Sequence, residues 1–187
     1  GSWVTLAHPS IAEIFCSAGF EWFVIDLEHS SITIREAEDL IRVVNLSGSK
    51  AYVRLTSHNT DQMKRALDAG ADGIIMRIVK NATDVKKLID NCLYYPYGSR
   101  GVGLARAQSY GFGFQEYLEN KSNEIKLIIQ IEHIEAIKNL DNLKIIGYNE
   151  SFKIAKIIKT EKHPNADRLK ICEVDVGAVS YTHLTLP

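Results

Sequence analysis

No run of about 18 apolar residues occurs in the 187-residue chain, so no helical membrane span is written into it. No charge of one sign dominates either: 22 Lys and Arg stand against 23 Asp and Glu, for a formal net charge of -1. Neither nucleic acid nor an anionic membrane meets a bulk field, so any such partner must be argued locally. The three cysteines, Cys16, Cys92 and Cys172, are odd in number, far apart and in no C-x-x-C pair. That argues against structural zinc and suits a reducing compartment. No G-x-G-x-x-G loop follows an apolar run, which weakens a dinucleotide-binding reading. No charged segment leading into an apolar stretch opens the chain, which begins Gly1-Ser2-Trp3 without Met. The expectation is a cytoplasmic protein whose own start has been lost.

What is present is a rhythm. Hydrophobic residues make up 45% of the chain, ample for a packed core. Five short apolar runs, VTL, WFVID, AYVRL, GIIMRIV and KLIIQI, are each followed by a stretch with apolar residues at helical spacing, such as Met63, Ala66, Leu67 and Ala71. Pro9 stands near one helix start, the segments from Asn59 and Asn81 offer capping side chains, and Gly19, Gly48 and Gly70 fall at helix ends. Repeated β-α units imply a parallel sheet covered by helices, open and doubly wound or closed as a barrel. A segment rich in Gly and Tyr, Tyr94 to Glu124, interrupts the rhythm and reads as a long loop. After about Tyr148 the pattern becomes strand, turn, strand, with no further β-α unit.

In parallel α/β folds the C-terminal ends of the strands line the ligand site. The second run ends in Asp26, Glu28 and His29, the third in Arg54 and the fifth in Gln130 and Glu132. A base, a cation and carboxylates would converge there. Each has a plainer role open to it: a strand-end Glu is often salt-bridged, His29 can cap the next helix, and Arg54 can pair with Asp26 or Glu28.

The segments GSWVTL, IAEIFCSAGFEWFVIDLEHS, VRLTSHN, LDAGADGIIM, YPYGSRGVG and LIIQIEHIEAIKNL resemble, in order, the motifs of the HpcH/HpaI class II pyruvate aldolases from Gly1 to about Asn142. The resemblance implies a (β/α)8 barrel, usually hexameric, that cleaves 2-keto-4-hydroxy acids to pyruvate and an aldehyde with a divalent metal, Mg²⁺ or Mn²⁺. It implies His29 as the base, its tautomer fixed by Asp26 or Asp68, and Arg54 as the group facing the keto oxygen. It matches Glu132 to a metal ligand and gives Arg100, Gln130 and Glu28 to the substrate, Arg100 at its mouth. A Schiff-base aldolase is the competing chemistry, with Lys80 its candidate. Two residues depart from the pattern: Tyr97 stands where a second Pro is usual, and Arg77 where the fourth strand often ends in Pro. The G-P-x-D-L motif with a second carboxylate ligand does not follow Leu143, nor do strands six to eight, so a truncated barrel without turnover is expected.

Phe152 to Gly177, with its HPNAD core, resembles the start of the tRNA-binding OB-fold module of bacterial phenylalanyl-tRNA synthetase β subunits. Such a barrel needs about five strands. Lys153, Lys156, Lys159 and Lys162 read as a solvated edge, and tRNA binding is not expected from a fragment. Val179 to Pro187 resembles translated sequencing adapter. The expected organisation is therefore a truncated aldolase barrel over 1–148, an OB-fold fragment over 149–178 and a non-native tail over 179–187, joined as a chimeric frame.

Overall fold

Helix starts are set by side chains that accept the first free backbone N–H groups. Pro9 is the first residue of α1 (Pro9–Ser17). Thr33 and Glu36 form a reciprocal capping box at the start of α2 (Ile34–Leu46), in which the Glu36 carboxylate accepts from the Thr33 N–H at 2.7 Å. Asn59 and Asn81 cap α3 (Thr60–Asp68) and α4 (Ala82–Cys92). Beyond α1, α2 and α3 the chain turns through Gly19, Gly48 and Gly70 at φ of +88°, +83° and +99°, where a side chain would be strained. The structure, a computed structural model, describes residues 1–139, 156–162, 170–175 and 180–185.

Between these helices lie β1 (Ser2–Val4), β2 (Trp22–Asp26), β3 (Lys50–Arg54), β4 (Gly73–Met76) and β5 (Lys126–Ile129), all parallel. Their order in the sheet is β1-β2-β3-β4-β5. A doubly wound sheet reverses its order at a switch point, and this one does not, so it is part of a (β/α)8-type barrel. The first strand lies two residues earlier than the VTL run. The fourth stops at Met76, because Ile78 takes φ +47° and turns the remaining apolar residues out of the ladder.

Side-chain alternation separates the two faces of the sheet. Phe23, Ile25, Ala51, Val53, Ile74 and Met76 are buried beneath the helices, against Leu40, Ile41, Met63, Leu67 and Leu88. Trp3, Tyr52, Arg54 and Ile128 share the concave face. Trp3 is 46% exposed and Ile128 38%, so among the described residues this face is open, where a closed barrel would be filled. Gly73 is demanded by close approach: a Cβ there would stand 2.3 Å from the Lys126 carbonyl oxygen across β4 and β5.

The interrupting segment is not all loop. After the 3₁₀ turn Arg106–Gly111 the chain is helical through α5 (Phe114–Glu116), the π turn Tyr117–Lys121 and α6 (Ser122–Glu124). Buried Tyr117 anchors this stretch, and its hydroxyl accepts from Arg100 Nη2 at 3.0 Å. A short helix α7 (Ile134–Lys138) follows β5, capped by His133.

The chain divides into two compact units, Gly1–Ile146 and Gly147–Pro187. In the second, β6 (Lys156–Lys162) and β7 (Lys170–Asp175) pair antiparallel, as the strand-turn-strand pattern implies. A third strand, β8 (Ser180–Thr185), pairs antiparallel with β7 from the segment read as a foreign tail. The HPNAD core and Lys153 lie outside the described residues.

Candidate active site

The turn after β2 is organised by Asp26. Its Oδ1 accepts from the backbone N–H groups of Glu28 at 2.9 Å and His29 at 3.2 Å, and from Arg54 Nε at 2.8 Å. Its Oδ2 accepts from Arg54 Nη2 at 2.5 Å, completing a two-pronged pair across the β2–β3 register Asp26↔Arg54. Burial pushes the Asp26 carboxyl up, but the Arg54 bond and the two backbone N–H groups outweigh it and hold it below the ordinary carboxylate value. The Arg54 guanidinium also lies over the Trp3 ring, 4.4 Å from its centroid. Ser30 Oγ donates to the Asp26 carbonyl and accepts from the Ile32 N–H at 3.0 Å. Ionisable residues thus end a buried strand because they fold its exit.

Glu28 lies between two cations. Arg54 Nη1 is 3.5 Å from its Oε2, and Arg77 Nε is 2.7 Å from its Oε1, an ion pair without hydrogen-bond alignment. The Glu28 side chain is only 6% exposed, and its Oε2 is a buried acceptor with no hydrogen-bond partner among the described residues. His29 projects beyond it, 71% exposed, with Nε2 3.4 Å from Glu28 Oε1. Just past β5, the Gln130 N–H continues the ladder to the Met76 carbonyl at 2.8 Å, while its Oε1 is buried without a partner among the described residues. Glu132 Oε1 accepts from the Ile78 N–H at 2.9 Å.

Six expected residues, Asp26, Glu28, His29, Arg54, Gln130 and Glu132, therefore stand at the C-terminal edge of the sheet. Asp68 and Arg100 do not. Asp68 ends α3, and the turn it begins is tied by the Asp72 N–H to the Ala51 carbonyl at 2.7 Å, at the start of β3. Its charged neighbours are Arg100 and Lys64, and burial holds its carboxyl above the ordinary value. Arg100 follows α4 at that same far edge, 6% exposed, stacked 4.0 Å from the Tyr94 ring centroid. Helices run back from the strand ends, so whatever follows a helix in this chain lies away from the rim. Neither expected carboxylate meets the His29 ring: Asp26 is taken by Arg54 and backbone, Asp68 is at the opposite edge, and Glu28 is the carboxylate beside it. Arg77, noted only as a departure, is the rim residue whose contact went unforeseen. The buried Cys92 thiol, pushed up to about 12 by burial, is inert.

The sequence profile described as HpcH/HpaI aldolase/citrate lyase matches residues 1–154. The chain belongs to that family. It is 33% identical over 147 residues to a 4-hydroxy-2-oxovalerate aldolase of Novosphingobium aromaticivorans, covering 78% of this chain and 56% of that one. It is 34% identical over 142 residues to a hydroxypyruvate/pyruvate aldolase of Roseobacter denitrificans, covering 75% and 56%. Among solved structures, the HpcH/HpaI aldolase of Desulfitobacterium hafniense superposes with a TM-score of 0.72 at 27% identity, covering 82% of this chain and 59% of that one. The chain spans little more than half the length of these relatives, so a family site would be represented here by its β1–β5 part.

Hard oxygen donors suit Mg²⁺ or Mn²⁺. The Glu132 carboxylate and the orphaned Gln130 Oε1, two residues apart in the segment that follows β5, are such donors and fit part of a cation's shell. Among the described residues no group of three His, Cys, Asp or Glu side chains is placed so as to hold a metal ion by itself.

Proposed function

We propose that residues 1–139 carry the β1–β5 portion of a metal-assisted aldolase site that cleaves a 2-keto-4-hydroxy acid to pyruvate and an aldehyde. The observation that carries this is the placement of His29, Arg54 and Glu132 on one strand-end rim of a barrel-type sheet. His29 is exposed enough to reach the 4-hydroxyl and take its proton. The C3–C4 bond then breaks, its electron pair passes to C3 as the C2 oxygen becomes an oxyanion, and C4 leaves as the aldehyde carbonyl. Reprotonation at C3 yields pyruvate. Arg54 holds fixed positive charge near that oxygen, with its Nε and Nη2 already committed to Asp26, so only the Nη1 side can face substrate. Glu132 and Gln130 would hold the divalent cation, which supplies Lewis-acid stabilisation of the developing charge.

The Schiff-base alternative has less support. Lys80 Nζ lies 3.6 Å from Glu135 and is 40% exposed, and a solvated, ion-paired ammonium is a poor nucleophile. The described residues offer one carboxylate and one amide oxygen to the cation, so we expect little or no turnover from this chain alone and expect whole relatives to act as oligomers. The deciding experiment places residues 1–139 in a complete barrel and measures pyruvate release from 4-hydroxy-2-oxovalerate. Activity should vanish with a chelator, return with Mg²⁺ or Mn²⁺, and leave no borohydride-trapped adduct with pyruvate. Chelator-resistant turnover with trapping at Lys80 would reverse the assignment.

A further inference from the structure

The strands that end at the rim in Arg54 and lead to Glu132 begin, at their other ends, beside a cavity that takes no part in the proposed reaction. Its volume is about 720 Å³, within the roughly 300–1,000 Å³ of small-molecule sites. One wall runs from the end of α2 through the start of β3 and the turn before β4 to the start of β5; the other is the interrupting segment from Arg106 to Glu124. All of it belongs to the unit Gly1–Ile146.

Four cations, Lys50, Arg106, Lys121 and Lys126, line this cavity against two carboxylates, Asp72 and Glu124. Asp72 is fully committed: its Oδ1 is 2.9 Å from Lys50 Nζ, and its Oδ2 accepts from Asn45 Nδ2 at 2.9 Å and from the Ala51 N–H at 2.8 Å. Arg106 has only neutral acceptors. Its Nη1 donates to Asn45 Oδ1 and to the Ala69 carbonyl, both at 2.9 Å, and lies so close over Gly70 that a Cβ there would stand 2.6 Å from it. Among the described residues this half-buried guanidinium makes no ion pair, and its Nε and Nη2 make no hydrogen bond. The other nearby carboxylate, Glu38, is held by Arg42 at 3.0 Å. Burial, aided by the charge of Arg42, pushes the Arg106 guanidinium below its ordinary value, as expected of a cation short of a counter-charge.

The opposite wall adds a second cation and a flat apolar surface. Lys121, on the π turn, is exposed and makes no ion pair among the described residues. Ser109 and Tyr110 take consecutive left-handed φ of +51° and +56°, a conformation that non-glycine residues hold only when their surroundings impose it, and both line the cavity. With Lys50 offset by Asp72 and Lys126 by Glu124, two positive charges are left, matching the charge of about -1.5 to -2 on a phosphate monoester at neutral pH. The guanidinium fork, fixed through Nη1, suits two oxygens of such a group. We infer that this cavity is a binding site for a small organic phosphate, with its phosphate between Arg106 and Lys121 and its organic part against Tyr110. The site lies at the strand ends opposite the rim and does not rest on the aldolase reading.

The test titrates phenyl phosphate, inorganic phosphate and benzyl alcohol into the 187-residue protein, followed by calorimetry and by amide shift perturbation. Phenyl phosphate should bind with a dissociation constant of about 1 mM or below, inorganic phosphate several-fold more weakly, and benzyl alcohol not measurably. The perturbed amides should fall at residues 45–52, 70–72 and 106–126. Arg106→Gln should weaken phenyl phosphate about tenfold, Arg106→Lys less, and Lys121→Gln about threefold. Should Arg106→Gln fail to fold, Lys121→Gln, at an exposed position, still decides. Absence of saturable binding, perturbation centred on Arg54 and His29 instead, or unchanged affinity in the folded variants would overturn the inference. Inorganic phosphate binding as tightly as phenyl phosphate would overturn the assignment to an organic ligand.

Discussion

Replacing Asp26 by Ala removes the acceptor of four bonds at once: two from Arg54 and one each from the N–H groups of Glu28 and His29. Arg54 is 13% exposed, so its charge remains largely buried. Breaking a buried pair by deleting one partner costs about 3–5 kcal/mol. Because Glu28 stays 3.5 Å from Arg54 Nη1, the low end applies, about 3 kcal/mol. With a urea m-value of about 2 kcal/mol/M, the unfolding midpoint should fall by roughly 1.5 M. Asp26→Asn keeps the acceptor for the backbone N–H groups but turns an amide donor toward Arg54, so about half that loss is expected. In an Arg54→Met background, Asp26→Ala should cost much less, since the stranded charge is gone. The assay is urea unfolding followed by far-UV circular dichroism. A midpoint shift under about 0.3 M for Asp26→Ala in the Arg54 background would refute the reasoning, because a buried unpaired guanidinium cannot be that cheap.

Two carboxyls should respond to pH with opposite sign. Asp26 lies below its ordinary value of 3.8 in the folded chain, so its contribution is full above that pH and is lost as pH falls through the folded value. Asp68 lies above 3.8, so folded stability falls as pH rises through the interval between that value and the raised one. Stability measured from acid to neutral pH should therefore show Asp26→Asn as most harmful at neutral pH and Asp68→Asn as mildly stabilising there; the reverse order would contradict both placements. Gly73→Ala puts a Cβ 2.3 Å from the Lys126 carbonyl oxygen and should cost about 2 kcal/mol, lowering the melting temperature by roughly 5 °C. An unchanged melting temperature would show that β4 and β5 do not approach as described.

Features written over short distances were legible in the sequence. Asn59, Asn81 and the glycines ending α1 to α3 are read from neighbours one to four residues away, and the structure uses them as read. The rim residues on β2, β3 and β5 followed from a single rule about strand ends. What stayed hidden depends on register or direction. Whether Arg54 pairs with Asp26 or Glu28 is decided by a ladder joining positions 28 apart, and the structure gives it both, Asp26 more tightly. The motifs around Asp68 and Arg100 carry no mark of which edge they occupy; chain direction through α3 and α4 assigns them to the far one. Arg77 was obscured because GIIMRIV reads as one unbroken strand, and only the left-handed turn at Ile78 ends it early. Ser180–Thr185 was set aside because Val179 to Pro187 resembles translated sequencing adapter, yet Tyr, Thr and Leu suffice to pair a six-residue strand.

The claim that this rim is an aldolase site is tested most directly at His29, which holds up little of the fold. Its side chain is 71% exposed and 3.4 Å from the nearest carboxylate, so His29→Ala should leave stability nearly unchanged. Pyruvate release from 4-hydroxy-2-oxovalerate should be measured for a complete barrel carrying residues 1–139, with and without this substitution. The account predicts that kcat falls by roughly 10² or more while binding of pyruvate in the presence of Mg²⁺ is retained. Near-normal turnover by a folded His29→Ala protein would contradict it.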